Sequence, residues 1–143
     1  MRAARREICE PYVVMAVVWV DAWQMECCGD PFAVGDRVVW TVDRMVGDGW
    51  FASALGPDMA ARLTHVEEHH ADEHEDLPEV SGRVLSIIRA WGAYGPQCPG
   101  DQVHVPLPGS ARFIDVDRSD GPERHAFSDI TFHGWVVELD QDM

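Results

Sequence analysis

Residues 16–20, Ala-Val-Val-Trp-Val, form an unbroken apolar, mostly β-branched run that ends at Asp21. A run this short, without polar alternation, predicts a strand covered on both faces. Two turn signals follow, Gly29-Asp-Pro and Val34-Gly-Asp36, and the second leads into Arg37-Val-Val-Trp-Thr-Val42, another strand. Residues 80–88, Val-Ser-Gly-Arg-Val-Leu-Ser-Ile-Ile, predict a longer one, with Gly82 placed for a bulge or a sharply curved stretch. Residues 103–107, 112–116 and 130–139 complete the strand candidates, separated by loop compositions such as Gly95-Pro-Gln-Cys-Pro-Gly100 and Ser119-Asp-Gly-Pro122. One helical pattern intervenes. Asp58 follows Pro57 as a cap, and Met59, Leu63 and Val66 share a helical face, which predicts a helix over about 58–70.

An aspartate turn opening one strand and a glycine bending the next are devices by which a sheet curls closed. The pattern therefore predicts a mainly β chain: a small curved SH3-like or OB-like β-barrel, or a compact β-sandwich, with one helix inserted near 58–70. Residues 15–140 read as a single domain and residues 1–14 as a disordered extension ahead of Met15. No internal repeat is evident.

Composition narrows the function classes. With 143 residues, 46% apolar content and six tryptophans, the chain is long and apolar enough for a packed core. A formal charge of −14 argues against direct binding to nucleic acid or anionic lipid, whose phosphates demand cationic surfaces. All 11 basic residues are arginine, a coding bias expected of a GC-rich genome. No apolar stretch approaches the roughly 20 residues that span a bilayer. Cys9, Cys27, Cys28 and Cys98 are irregularly spaced and two are adjacent, so they read as reduced thiols of a cytoplasmic protein.

The sharpest candidate chemistry is metal binding. Cys27-Cys28-Gly29 and His65-Val-Glu-Glu-His69-His70 offer thiolates and imidazoles, the donor set that zinc prefers. On a helix, His65 and His69 would share a face, and Gly29 would allow the turn that brings two adjacent thiols to one ion. The candidate ligands are Cys27, Cys28, His65, His69 and His70, with zinc as the cofactor. The bland reading makes the thiols small buried hydrophobes and the His/Glu tract a solvated face. His65-Val-Glu-Glu-His69 also matches the H-x-x-E-H protease pattern, but His70-Ala-Asp-Glu-His74 matches it again, so composition explains the match. Ser110, Ser128 and His125 carry no nucleophile signature. Residues 115–121 resemble a calcium loop with its glycine displaced, and a solvated turn is the simpler reading. Trp19, Trp40 and Trp135 fall in strands and are expected in the core. Trp23, Trp50 and Trp91 lie near loops and are candidates for an exposed recognition surface.

The segment from Val18 to Asp36, with its W-V-D-x-W-Q-M-x-C-C-G-x-P-F-x-V-G-D pattern, together with Glu67-Glu-His-His70 and Ser81-Gly-Arg-Val84, resembles an uncharacterised family of small actinobacterial proteins bearing a domain of unknown function. The resemblance spans most of residues 15–139 and implies a cytoplasmic bacterial setting, without an activity or site residues. Two function classes stay open. The first is a small acidic binding module that docks a protein partner, with zinc as a stabiliser. The second is a metal-dependent hydrolase with Glu67 or Glu68 as general base. An acidic mimic of nucleic acid is a more distant third.

Overall fold

A strand that is apolar on both faces has to be covered on both, and this requirement organises the chain. The computed structural model describes residues 14–22, 30–44, 49–68, 76–121 and 126–142. In it the first apolar run lies in β1 (Val14–Asp21), which pairs antiparallel along its whole length with β8 (Thr131–Gln141). On its other side β1 pairs parallel with the short β3 (His65–Glu67). β3 pairs with β2 (Arg37–Arg44), β2 with the start of β4 (Glu79–Gly92), and β4 from Gly82 onward with β8. The ring closes as a five-stranded barrel, with 52% of the described residues in strands, as the strand pattern predicted. β7 (Arg112–Val116) adds to β4 outside the ring, and β5 (Tyr94–Pro96) pairs with β6 (His104–Pro106) as a separate ribbon.

The two faces of β1 enter two cores. Ala16, Val18 and Val20 join Val42, Val84, Ile87, Trp135, Val137 and Leu139 inside the barrel. Val17 and Trp19 face outward and are roofed by α1 (Gly49–Leu55) and α2 (Pro57–Arg62), through Trp50, Phe51, Ala54, Leu55 and Met59. Trp19, fully buried, stacks edge-on with Trp50 and Phe51 at 6.1 and 5.8 Å. Arg62 at the end of α2 pairs with Glu138 of β8, which also accepts a 2.6 Å hydrogen bond from the Ser86 hydroxyl. These contacts fix the helical roof on the barrel wall.

Barrel closure occurs at Gly82, which faces Val38 of β2 on one side and Gln141 of β8 on the other. A Cβ there would stand 2.4 Å from the Asp140 carbonyl oxygen, so the curvature that the glycine suggested is a close backbone crossing. The bulge itself comes at Leu85, where the β4–β8 register slips between Val84 and Ser86.

The helical region corrects two expectations: where one helix was expected there are two, with α1 (Gly49–Leu55) preceding the expected segment, and the second is shorter. Helix ends at Arg62; Leu63 is extended and buried, and residues 65–67 are strand, where helix had been expected as far as residue 70. The reason is long-range. Thr64 exchanges hydrogen bonds with Val17, its backbone N–H to the Val17 carbonyl and its hydroxyl from the Val17 N–H, at 2.8 and 2.9 Å. That clamp aligns His65 and Val66 with Val18 and Trp19, and the barrel closes only with this strand in place. Ladder pairing outweighs a weak helical preference. Trp91 is a further correction: β4 continues to Gly92, and Trp91 is fully buried instead of lying on a surface.

One end of the barrel holds Arg89, which is 0% exposed. Its guanidinium lies over the rings of Phe132 and Trp135, 5.4 and 5.8 Å from their centroids, and donates to the carbonyls of Ser119 and Gly121. Ser119 is in turn zipped to Phe32: backbone N–H to carbonyl at 2.8 Å, and Phe32 N–H to the Ser119 hydroxyl at 3.0 Å. A buried cation thus anchors two loops that cap the barrel.

Candidate functional site

β8 carries an extra residue. Its partner register on β4 runs Gly134 to Ala90 and then Phe132 to Trp91, leaving His133 as the bulged position. A bulge resets the inside–outside alternation of a strand and re-aims a side chain. Phe132 and Trp135 therefore both pack inward, 5.0 Å apart, whereas His133 turns outward against Trp50 of α1 and Tyr94 of β5, at 5.5 and 5.3 Å. Gly134 makes this possible, since it adopts a φ of 152° and sits directly on β1.

Asp21, the last residue of β1, faces Gly134 across the ladder. It opens into a recess of about 240 Å³ lined by Asp21, Trp50, Tyr94, Thr131 and His133. Four separate elements contribute, so the recess is a product of tertiary assembly. Burial pushes the Asp21 carboxyl above its ordinary value, opposed in part by the neighbouring Trp19 indole on the same strand face. Burial also raises the Tyr94 phenol. A hydrogen bond from Trp50 acts against that rise, and the negative charge of Asp21 adds to it. His133, only 5% exposed, is held below its ordinary value by burial, so its ring is neutral at neutral pH. Its Nε2 has no hydrogen-bond partner.

The arrangement invites comparison with a Ser-His-Asp site, because Ser110 lies close by. A Cβ built on Gly92 would meet both His133 Nε2 and Ser110 Oγ, at 2.6 and 3.4 Å. The Ser110 hydroxyl, however, donates to the Leu107 carbonyl at 2.6 Å and accepts from the Ala93 N–H at 2.9 Å. It is a turn clamp, and its proton is committed away from the imidazole. A larger recess of about 400 Å³ beside Phe32 and Trp40 includes Asp36 and Arg37. There Asp36 accepts from the Ala33 N–H and Arg37 pairs with Asp142, so both charges serve local structure. The Asp21 recess therefore gathers chemistry that the fold does not itself consume.

Of the residues nominated from the sequence, Cys27, Cys28, His69 and His70 fall outside the described residues. His65 lies in β3, half-buried, with Nδ1 2.8 Å from the Thr64 hydroxyl. In a strand it lacks the i, i+4 helical geometry on which pairing with His69 was argued. Glu67, a candidate general base, is 2% exposed and pairs with Val42 in the barrel wall. Among the described residues no group of three or more potential metal ligands comes together, and no helix is long and apolar enough to cross a membrane. Trp50, named as a recognition candidate, does line the recess, whereas Trp23 falls outside the described residues. Asp21, Tyr94 and His133 went unnominated. Two signals pointed at them: Asp21 interrupts an apolar run, and Gly134 sits inside a strand, where glycine marks a bulge or a close approach.

Residues 14–141 match the model of a family of unknown function (DUF6578). No curated protein and no solved structure shows a significant match to the chain.

Proposed function

The chain belongs to this family of unknown function, and for it we propose the role of a small acidic binding module that docks a basic protein partner in the bacterial cytoplasm. The observation that carries this reading is the Asp21 recess, where a half-buried carboxylate is set among Trp50, Tyr94 and His133 at the edge of a rigid barrel. The formal charge of −14 extends the same preference over longer range, steering cationic partners in and nucleic acid away. Tryptophan and tyrosine beside a desolvated charge are the usual composition of an interface anchor.

Calorimetric titration of the full chain with a lysine- and arginine-rich peptide, a matched acidic peptide and duplex DNA tests this. We expect the basic peptide alone to bind, with affinity falling about tenfold or more as salt is raised from about 0.05 M to about 0.5 M. Binding of the acidic peptide, or salt-independent binding of all three, would overturn the reading.

Zinc as a stabiliser, held by Cys27, Cys28 and one or more of His65, His69 and His70, remains part of the proposal. Its support is that the Thr64 hydroxyl orients the His65 ring, as outer partners do for ligating imidazoles. Protein purified without an affinity tag should contain about one equivalent of zinc and melt lower in chelator. Less than about a tenth of an equivalent, with unchanged melting, would remove zinc from the account.

A further inference from the structure

We propose that the recess between β1, α1, β5 and β8 receives a single lysine side chain of the partner, with Asp21 taking the ammonium group and Trp50 and Tyr94 flanking the methylene stem. This rests on the reading of the chain as a module for basic partners and gives that reading a site and a ligand.

Size comes first. A recess of about 240 Å³ is smaller than the roughly 300–1,000 Å³ of pockets that enclose whole small molecules, yet ample for one side chain. Charge comes second. Among the described residues Asp21 is the one carboxylate lining it, and no arginine lines it, so nothing there neutralises the acid. Trp19 on its own strand and Tyr94 from β5 lie by Asp21, and His133 of β8 lines the same recess, none of them cationic at neutral pH.

Lysine is preferred over arginine by acceptor geometry. Asp21 is half-buried at the end of β1 against β8, so its carboxylate is only partly open to the recess. A guanidinium recognises carboxylate best through two parallel bonds and loses most of that advantage when the carboxylate is only partly open. A compact ammonium needs a single charged acceptor and finds further acceptors for its other protons in the Tyr94 and Thr131 hydroxyls. The aromatic walls give the apolar stem a dry path while its head stays with the carboxylate.

Burial holds the carboxylate in an environment that disfavours its charge, and an ammonium ion would relieve that cost. Acidification therefore acts against binding twice: Asp21 takes up a proton at a higher pH than an ordinary aspartate, and His133, once protonated, adds a repelling charge.

The test uses the full chain and two small probes, n-butylammonium and n-butylguanidinium, at fixed ionic strength, followed through the Trp19 and Trp50 indole and Gly134 amide signals by NMR. We expect n-butylammonium to bind at least about fivefold tighter, and to weaken on acidification at a higher pH than an ordinary aspartate would set. Asp21→Asn, which keeps the shape and removes the charge, should reduce its affinity at least about tenfold. Trp50→Phe, a milder change in a ring that also packs the core, should reduce it less. Equal or tighter guanidinium binding, or an unchanged Asp21→Asn variant, overturns the lysine site. If Asp21→Asn still binds the basic peptide as the wild type does, the recess is refuted while the module stands. If n-butylammonium binds but the basic peptide does not, the module reading fails instead.

Discussion

Gly134→Ala is expected to cost about 3–5 kcal/mol, a loss on the scale of a severe core disruption. The alanine Cβ would lie 2.2 Å from the Val20 carbonyl oxygen, 2.9 Å from a Trp19 ring carbon and 3.2 Å from the Ala22 nitrogen. Two of those three atoms are backbone and the third belongs to a fully buried indole, so no flexible end can swing aside. A φ of 152° adds a conformation that side chains rarely adopt. Relief would require β8 to lift from β1 at the bulge, breaking ladder hydrogen bonds where the barrel is held on both sides. For a chain of this size the loss corresponds to a melting temperature lower by about 10 °C or more. Urea denaturation of the variant measures it directly. A midpoint shift worth less than about 1 kcal/mol would mean the strands stand farther apart than this contact requires. Because the same bulge re-aims His133, any folded fraction should also lose n-butylammonium binding.

Arg89→Ala should be comparably severe, at about 3–5 kcal/mol. Truncation strands the carbonyls of Ser119 and Gly121 and leaves a void between the Phe132 and Trp135 rings. The Arg118 hydrogen bond holds the Asp120 carboxyl below its ordinary value, and the Arg89 guanidinium adds only the least of the contributions. Arg89→Met separates the contributions. It refills most of the volume with an apolar chain and removes only the polar bonds, so about half of the loss should return. Paired urea titrations decide this. Equal loss in both variants would assign the stability to the polar clamp alone. A cost below about 1 kcal/mol for alanine would show that the capping loops hold without the cation.

The strands were largely legible because their signal is local. Residues 112–116 have the bounds of β7, the runs at 16–20, 37–42 and 80–88 lie within β1, β2 and β4, and the run at 130–139 begins one residue before β8 and stops two short of its end. β3 was not legible. Three residues carry too little periodicity to declare themselves, and Met59, Leu63 and Val66 satisfied a helical stripe equally well. The recess was harder still. Asp21 and His133 are more than a hundred positions apart, and no local rule places an imidazole beside that carboxylate. The Cys27, Cys28, His69 and His70 set drew notice because its chemistry is written in residue type, which is what a sequence displays best.

The sequence by itself determined a mainly β, strongly acidic chain with a well-stocked core, because burial period, turn chemistry and net charge are properties of neighbouring residues and simple sums. Only the tertiary structure decided where the functional chemistry sits. The bulge at His133, the parallel seating of β3 on β1 and the convergence of Asp21, Trp50 and Tyr94 all depend on register between distant strands, and register is fixed by the energy of the closed barrel as a whole.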